Sequence, residues 1–129
     1  MDISEFNEHL RDIRELMIQE KYSDALVTID MLKDLDKKGD HDFSYNLMHQ
    51  LYQLDSNCRS AFHQQIILEI IKDISMKEQP ISLNKLNQLV RDKSNLKMGS
   101  EILRKEVELL ILRDLLKCKI EGNQIIFLI

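Results

Sequence analysis

Lys117-Cys118-Lys119-Ile120-Glu121-Gly122-Asn123-Gln124-Ile125-Ile126-Phe127-Leu128-Ile129 carries the pattern that sets this chain apart from a plain helical bundle. From Lys117 to Ile120 polar and apolar residues alternate, the period of a half-buried strand. Glu121 to Gln124 has the composition of a turn, and Ile125 to Ile129 is a β-branched and aromatic run. Two strand-like runs flanking a Gly-Asn pair predict a β-hairpin. Alternation puts Cys118 on one face with Ile120 and turns Lys117 and Lys119 to the other. In the second run, 125, 127 and 129 take one face, 126 and 128 the other. A core absorbs one set. The other is left over, so Ile125–Ile129 reads as an apolar edge strand that needs a cover, a second subunit or the protein's own helices.

Ahead of the hairpin, Gly99-Ser100 opens a helix bearing Ile102, Leu103, Val107, Leu110, Ile111 and Leu115. Arg91 to Lys97 reads as a polar connection. Ahead of it Leu83, Leu86, Leu89 and Val90 form a short helix, capped by Ser82 and preceded by the extended piece Ile81-Ser82-Leu83. Gln79-Pro80 ends a longer helix over about 57–76, whose wide apolar face carries Ala61, Phe62, Ile66, Ile67, Ile70, Ile71 and Ile74. At ~1.5 Å per residue that helix runs ~30 Å and joins the two halves of the chain. Asp55-Ser56-Asn57 reads as a break and a new cap after a helix over about 42–54 with Phe43, Leu47, Leu51 and Leu54 in line. Further upstream, Ile3, Phe6, Leu10, Ile13, Leu16 and Met17 trace one amphipathic helix, with Asp2 or Ser4 as its cap. Ala25, Leu26, Ile29, Leu32 and Leu35 trace a second helix, stopped at Gly39. Short connections make these helices antiparallel neighbours.

Helix, short strand, short helix, longer helix and β-hairpin is the order of a winged helix. The stretch ISLNKLNQLV, followed by EILRKEVELLILRDLLKCKIEGNQIIFLI, resembles the winged-helix half of PCI domains. Those domains occur in subunits of the proteasome lid, the signalosome and the translation initiation factor 3 complex. The likeness lies in Leu115-Leu116 running into Lys117 to Ile120, a turn, and the apolar strand Ile125 to Leu128. Tyr22-Ser23-Asp24-Ala25-Leu26 resembles the start of the second helix of a TPR-like unit. The hairpin ending is also similar to winged-helix adaptors of the ubiquitin-fold-modifier ligation system. The chain carries fewer helical repeats than PCI subunits usually do. The expected fold is mainly α: antiparallel helical hairpins over residues 1–58, then a winged helix with a small β-hairpin over 59–129. The resemblance implies a subunit of a multi-protein complex.

Composition narrows the function classes. In 129 residues, 43% are apolar, 31% are charged, and only three glycines and one proline occur, which excludes low-complexity and collagen-like chains. Residues 1–80 carry a net charge of −7 and residues 81–129 a net of +3, within a formal total of −4. No apolar stretch is long enough for a membrane span, and the first residues lack the basic and apolar regions of a signal peptide. Cys58 and Cys118 are therefore expected as free thiols in a cytoplasmic or nuclear protein.

Chemistry-bearing motifs are few. The four histidines (His9, His41, His49, His63) and two cysteines have no metal-ligand spacing, so no metal or other cofactor is expected. Cys118, between two lysines, points away from both and reads as a small buried hydrophobe. The pairs Asp34/Asp36 and Glu106/Glu108 sit two apart on helices and read as solvated faces. The three glycines are isolated and make no phosphate loop. No small-molecule substrate and no enzymatic activity are expected. A duplex-binding reading would use Lys93, Lys97, Arg104 and Lys105 around the third winged-helix helix, with Lys117 and Lys119 in the wing. It is weighed down by Glu101, Glu106, Glu108 and Asp114 on the same segment. The favoured expectation is a non-enzymatic scaffold or adaptor that meets a protein partner or a second copy of itself. Its expected contact residues are Ile126 and Leu128 at the sheet edge, with Tyr45, Met48 and Tyr52 as a second patch on a helix.

Overall fold

The structure is a computed structural model that describes residues 1–39, 41–74, 80–94 and 98–128. It is mainly helical, with a small antiparallel sheet in its C-terminal part. The order is α1 (Ile3–Ile18), α2 (Tyr22–Lys38), α3 (Tyr45–Ile74), β1 (Ile81–Ser82), α4 (Leu83–Ser94), α5 (Ser100–Leu112), β2 (Cys118–Glu121) and β3 (Gln124–Phe127). Two compact units divide the chain, Met1–Phe62 and His63–Ile129.

In the first unit, Asp2 caps α1 by accepting the Glu5 N–H at 2.8 Å. The helix closes without glycine. Glu20 takes a left-handed conformation (φ 60°), and the Lys21 N–H reaches back to the Leu16 carbonyl at 2.8 Å, a Schellman closure. Gly39, at φ 70°, ends α2 where a side chain would be strained. Phe6, Leu10 and Ile13 of α1 interlock with Ala25, Leu26, Ile29 and Leu32 of α2 and with Leu51 and Cys58 of α3; all are buried.

The expected break at Asp55-Ser56-Asn57 is absent: α3 runs unbroken for 30 residues. The reason is local. No glycine or proline stands there, and the apolar spacing continues through Leu51, Leu54, Cys58 and Phe62, steps of three and four. Asp55 is not a cap but the centre of an ion-pair chain. It meets Lys33 at 3.0 Å and Arg59, one turn on, at 2.8 Å; Arg59 also reaches Asp30 of α2 at 2.6 Å. The cap lies earlier, at Ser44, whose Oγ accepts the Leu47 N–H at 3.2 Å.

In the second unit, Ser82 caps α4 by accepting the Lys85 N–H at 3.0 Å. That helix continues to Ser94, so the first part of the expected polar connection is helical; Asn95 to Lys97 lie outside the described residues. The next helix, α5, ends at Leu112 rather than including Leu115. Asp114 adopts φ 59°, and Leu115 N–H bonds back to the Leu110 carbonyl at 2.9 Å, a second Schellman closure without glycine.

The sheet has the order β1-β3-β2. This corrects the expectation that Ile125–Ile129 is an edge strand: β3 is the central strand. Ile81 of β1 pairs with Ile125, and both are buried. On the other side Cys118, Lys119, Ile120 and Glu121 pair with Phe127, Ile126, Ile125 and Gln124. The apolar character of Ile125 is the mark of its middle position, and the edge strands are the two-residue β1 and the longer β2. Ile129 lies outside the described residues.

Candidate functional site

The C-terminal sheet has two unlike faces. Cys118, Ile81 and Ile125 are buried on one face, where Ile120 and Phe127 are half-buried. Leu86 and Val90 of α4 and Leu103, Val107 and Leu110 of α5 are buried as well, and α4 contacts β1 while α5 contacts β2. The other face carries Lys119, Glu121 and Gln124, with Ile126 half-buried among them and Leu128 beyond, 54% exposed. Lys119 sits directly opposite Ile126 and also pairs with its own Glu121 at 2.9 Å.

The free edge of the sheet follows from the hairpin register. Leu128 donates its N–H to the Lys117 carbonyl at 2.9 Å. In an antiparallel pair such bonded positions recur every second residue, so 117, 119 and 121 spend their backbone groups on β3. The N–H and C=O groups of Cys118 and Ile120 therefore point the opposite way, to the open edge. Among the described residues no strand pairs with that edge. Beside it runs a groove of about 440 Å³ lined by Ile111, Leu112, Cys118 and Ile120, with Arg104, Glu108 and Lys119 at its rim. Leu112 stands 81% exposed and Leu115 50% exposed. Arg104 bonds Glu108 at 3.1 Å and donates to the Gly122 carbonyl at 3.0 Å, tying α5 to the hairpin turn.

No family of known proteins, no curated protein and no solved structure matches the chain. The site therefore rests on its own geometry.

Leu112 escaped the sequence reading, although a signal was present. Leu109-Leu110-Ile111-Leu112 is four apolar residues in a row, and a helix cannot bury four consecutive positions on one face. Of these only Leu110 is buried outright.

The second expected patch is gathered in the first unit. Tyr45, Met48 and Tyr52 line one concavity with Asp36, His41, Phe43 and His49. Their situations differ. Met48 packs against the helical core. Tyr52 donates its hydroxyl to Asp36 at 2.7 Å, and the Lys33 ammonium lies 5.8 Å from its ring centre. Tyr45 is 83% exposed and stacks on His49 at 6.3 Å. Asp36 also meets His41 at 3.0 Å. The expectation of a merely solvated Asp36 is thus corrected: it is half-buried and doubly bonded. The Tyr52 hydroxyl is the main reason its carboxyl sits below the ordinary value; partial burial opposes this, and His41 adds to it.

Glu106 is likewise no solvated residue. It is buried at 4% exposure and accepts from Gln64 at 2.8 Å, while Gln64 accepts from Arg113 at 2.8 Å. The helical spacing that placed it beside Glu108 is correct, but the face it takes is the core face, made tolerable by amide partners.

Of the basic residues named for nucleic acid, several are already engaged. Lys93 lies 3.6 Å from Asp73 and 3.9 Å from Glu69. Arg104 and Lys119 hold Glu108 and Glu121. Lys105 and Lys117 are exposed and make no ion pair among the described residues. Lys97 lies outside the described residues.

Both thiols are free and buried. Burial raises the Cys58 pKa to about 11, with the Asp55 charge adding to the effect, and burial also raises Cys118. A thiol held in its neutral form is a poor nucleophile. Among the described residues no group of three or more His, Cys, Asp and Glu side chains is placed to hold a metal ion. No helix among them is long and apolar enough to cross a membrane.

Proposed function

We propose that this chain is a non-enzymatic interaction module, a scaffold or adaptor subunit of the PCI-like, winged-helix kind, that docks through the edge of its C-terminal sheet. The observation that carries the reading is the open β2 edge, with the Cys118 and Ile120 backbone groups unspent, next to an apolar groove and the exposed Leu112. Unpaired strand edges are templates for another strand, and added strands are a recurring mode of protein recognition. The order of elements from the end of α3 through β1, α4, α5 and the hairpin, with β1 beside β3, supports the winged-helix reading. Neutral, buried thiols support a binding role over thiol chemistry, and they fit a cytoplasmic or nuclear setting.

The experiment is affinity recovery from the native host with the wild-type chain and with Ile120→Pro. Proline removes an N–H that faces the edge, not one that bonds β3, so the hairpin ladder is kept. Loss of the wild-type partner set with unchanged helicity supports the edge. An unchanged set rejects it.

A duplex-binding regulator is the second reading, favoured by the exposed Lys105 and Lys117, which make no ion pair among the described residues. Of the other basic residues named for it, Lys93, Arg104 and Lys119 would each have to give up a carboxylate to meet a phosphate. Titration of random duplex DNA at ~50 mM salt decides it: micromolar binding that disappears as salt rises favours the regulator.

A further inference from the structure

The open edge carries a short sequence that is complementary to itself. β2 reads Cys118-Lys119-Ile120-Glu121. Run antiparallel to a second copy with Ile120 opposite Ile120, this strand puts each Lys119 opposite the other copy's Glu121. From this we infer that the occupant of the β2 edge is a second copy of the same chain, joined across a two-fold axis through Ile120. The inference rests on the edge-docking reading above and names its partner.

Three features of the edge select this arrangement. The first is backbone direction: Ile120 has its N–H and C=O turned outward, so two such residues exchange a reciprocal pair of hydrogen bonds. A two-fold axis requires such self-complementary contact, residue by residue. The second is charge. The register centred on Ile120 sets opposite charges face to face twice, whereas the neighbouring register centred on Lys119 sets the two lysines against each other. Directly opposed like charges destabilise a strand pair, so the first register is chosen over the second. Lys119 and Glu121 stand on the exposed face of the sheet, 2.9 Å from each other within one copy, and so are already held at the right edge. The third is apolar cover. Ile111, Leu112 and Ile120 line the groove alongside the edge, and pairing of two copies brings strand against each groove rim. Four residues per strand make a small contact, so the dimer belongs at the weak end of specific interfaces.

Light scattering over a concentration series on the full chain tests this, using wild type, Lys119→Glu, and the exchanged pair Lys119→Glu with Glu121→Lys. The single change sets glutamates opposite each other on both sides of the axis and is expected to weaken the dimer about tenfold or more. The exchange restores opposite charges in the same register and is expected to return the dimer to near wild-type strength. A general loss of fold would not be rescued in this way. Ile120→Pro is a second route to the same result and is expected to leave a helical monomer. A dimer indifferent to all three variants overturns the inference, because the copies then meet elsewhere. A wild-type chain that remains monomeric at several hundred micromolar overturns it too. That second result leaves the edge reading to be judged by host recovery with Ile120→Pro: a lost partner keeps the edge for a different protein, and an unchanged set sinks the edge reading as well.

Discussion

At the scale of single residues, side chains that looked like surface turn out to hold the structure together. Asp36 is one of them. A carboxylate whose folded pKa lies below its unfolded value contributes stability above that unfolded value. The contribution is lost as pH falls below the ordinary 3.8 and through the folded pKa. The Tyr52 phenol is shifted upward from 10.0 by the same bond, so its share is present below pH 10 and lost as pH rises through the folded value. Tyr52→Phe is expected to cost about 0.5 kcal/mol at neutral pH, a small figure because the bond faces solvent. The difference from wild type should shrink as pH falls below 3.8 and through the lowered folded pKa of Asp36. Urea titration at several pH values checks both parts. Cys58 supplies a second residue-scale expectation. With its pKa near 11 and its Sγ 3.6 Å from the Tyr22 carbonyl, it should resist iodoacetamide at pH 8 while the chain is folded. Cys118, also buried, should behave alike, and both should label rapidly in denaturant. Mass spectrometry gives the count; fast labelling of the folded chain would contradict the assigned burial.

At the scale of elements, α3 offers a change whose sign separates two structures. If Asn57 capped a new helix, Asn57→Ala would cost about 1 kcal/mol. In an unbroken helix the same change places the best helix former at an exposed interior position and should stabilise by a few tenths of a kcal/mol, about 0.5. Asp55→Ala should cost about 1–2 kcal/mol, since it leaves Lys33 and Arg59 without their shared partner. Thermal melts of the two variants suffice. The same elements show what was legible in the sequence. The stripes of α1 and α2, the Gly39 stop, the Ser82 cap and the β2–β3 hairpin all follow from local chemistry: period, cap and turn residue. The end of α5 does not. It stops through Asp114 in a left-handed conformation, where composition offers no breaker. Nor does the join in α3, where Asp, Ser and Asn resemble a cap unless their tertiary ion pairs are known. The central position of β3 was hidden for another reason: β1 is two residues long and has no period to read. That one pairing moves the open edge from the terminal run to β2, and with it the candidate site from Ile126 and Leu128 toward Ile120 and Leu112.

At the scale of the whole molecule, two compact units carry unlike surfaces. The first unit presents acidic helices whose internal ion pairs bind α2 to α3. The second presents a sheet edge, an apolar groove and a few unengaged lysines. Both thiols are buried with raised pKa values, and among the described residues no group of three or more His, Cys, Asp and Glu side chains is placed to hold a metal ion. What the second unit does offer is a β2 edge with no paired strand among the described residues and exposed leucine beside it, the features on which the proposed association rests. Docking through the sheet requires that the outward groups of β2 be free in the isolated chain. Amide hydrogen exchange, followed residue by residue on a dilute sample, reads this directly. Lys119 and Glu121, bonded to β3, should exchange slowly, and Cys118 and Ile120 should exchange fast, with Ile120 slowing as concentration rises. An Ile120 amide as protected as that of Lys119 at the lowest concentration would mean that the chain already covers this edge itself, and would contradict the account.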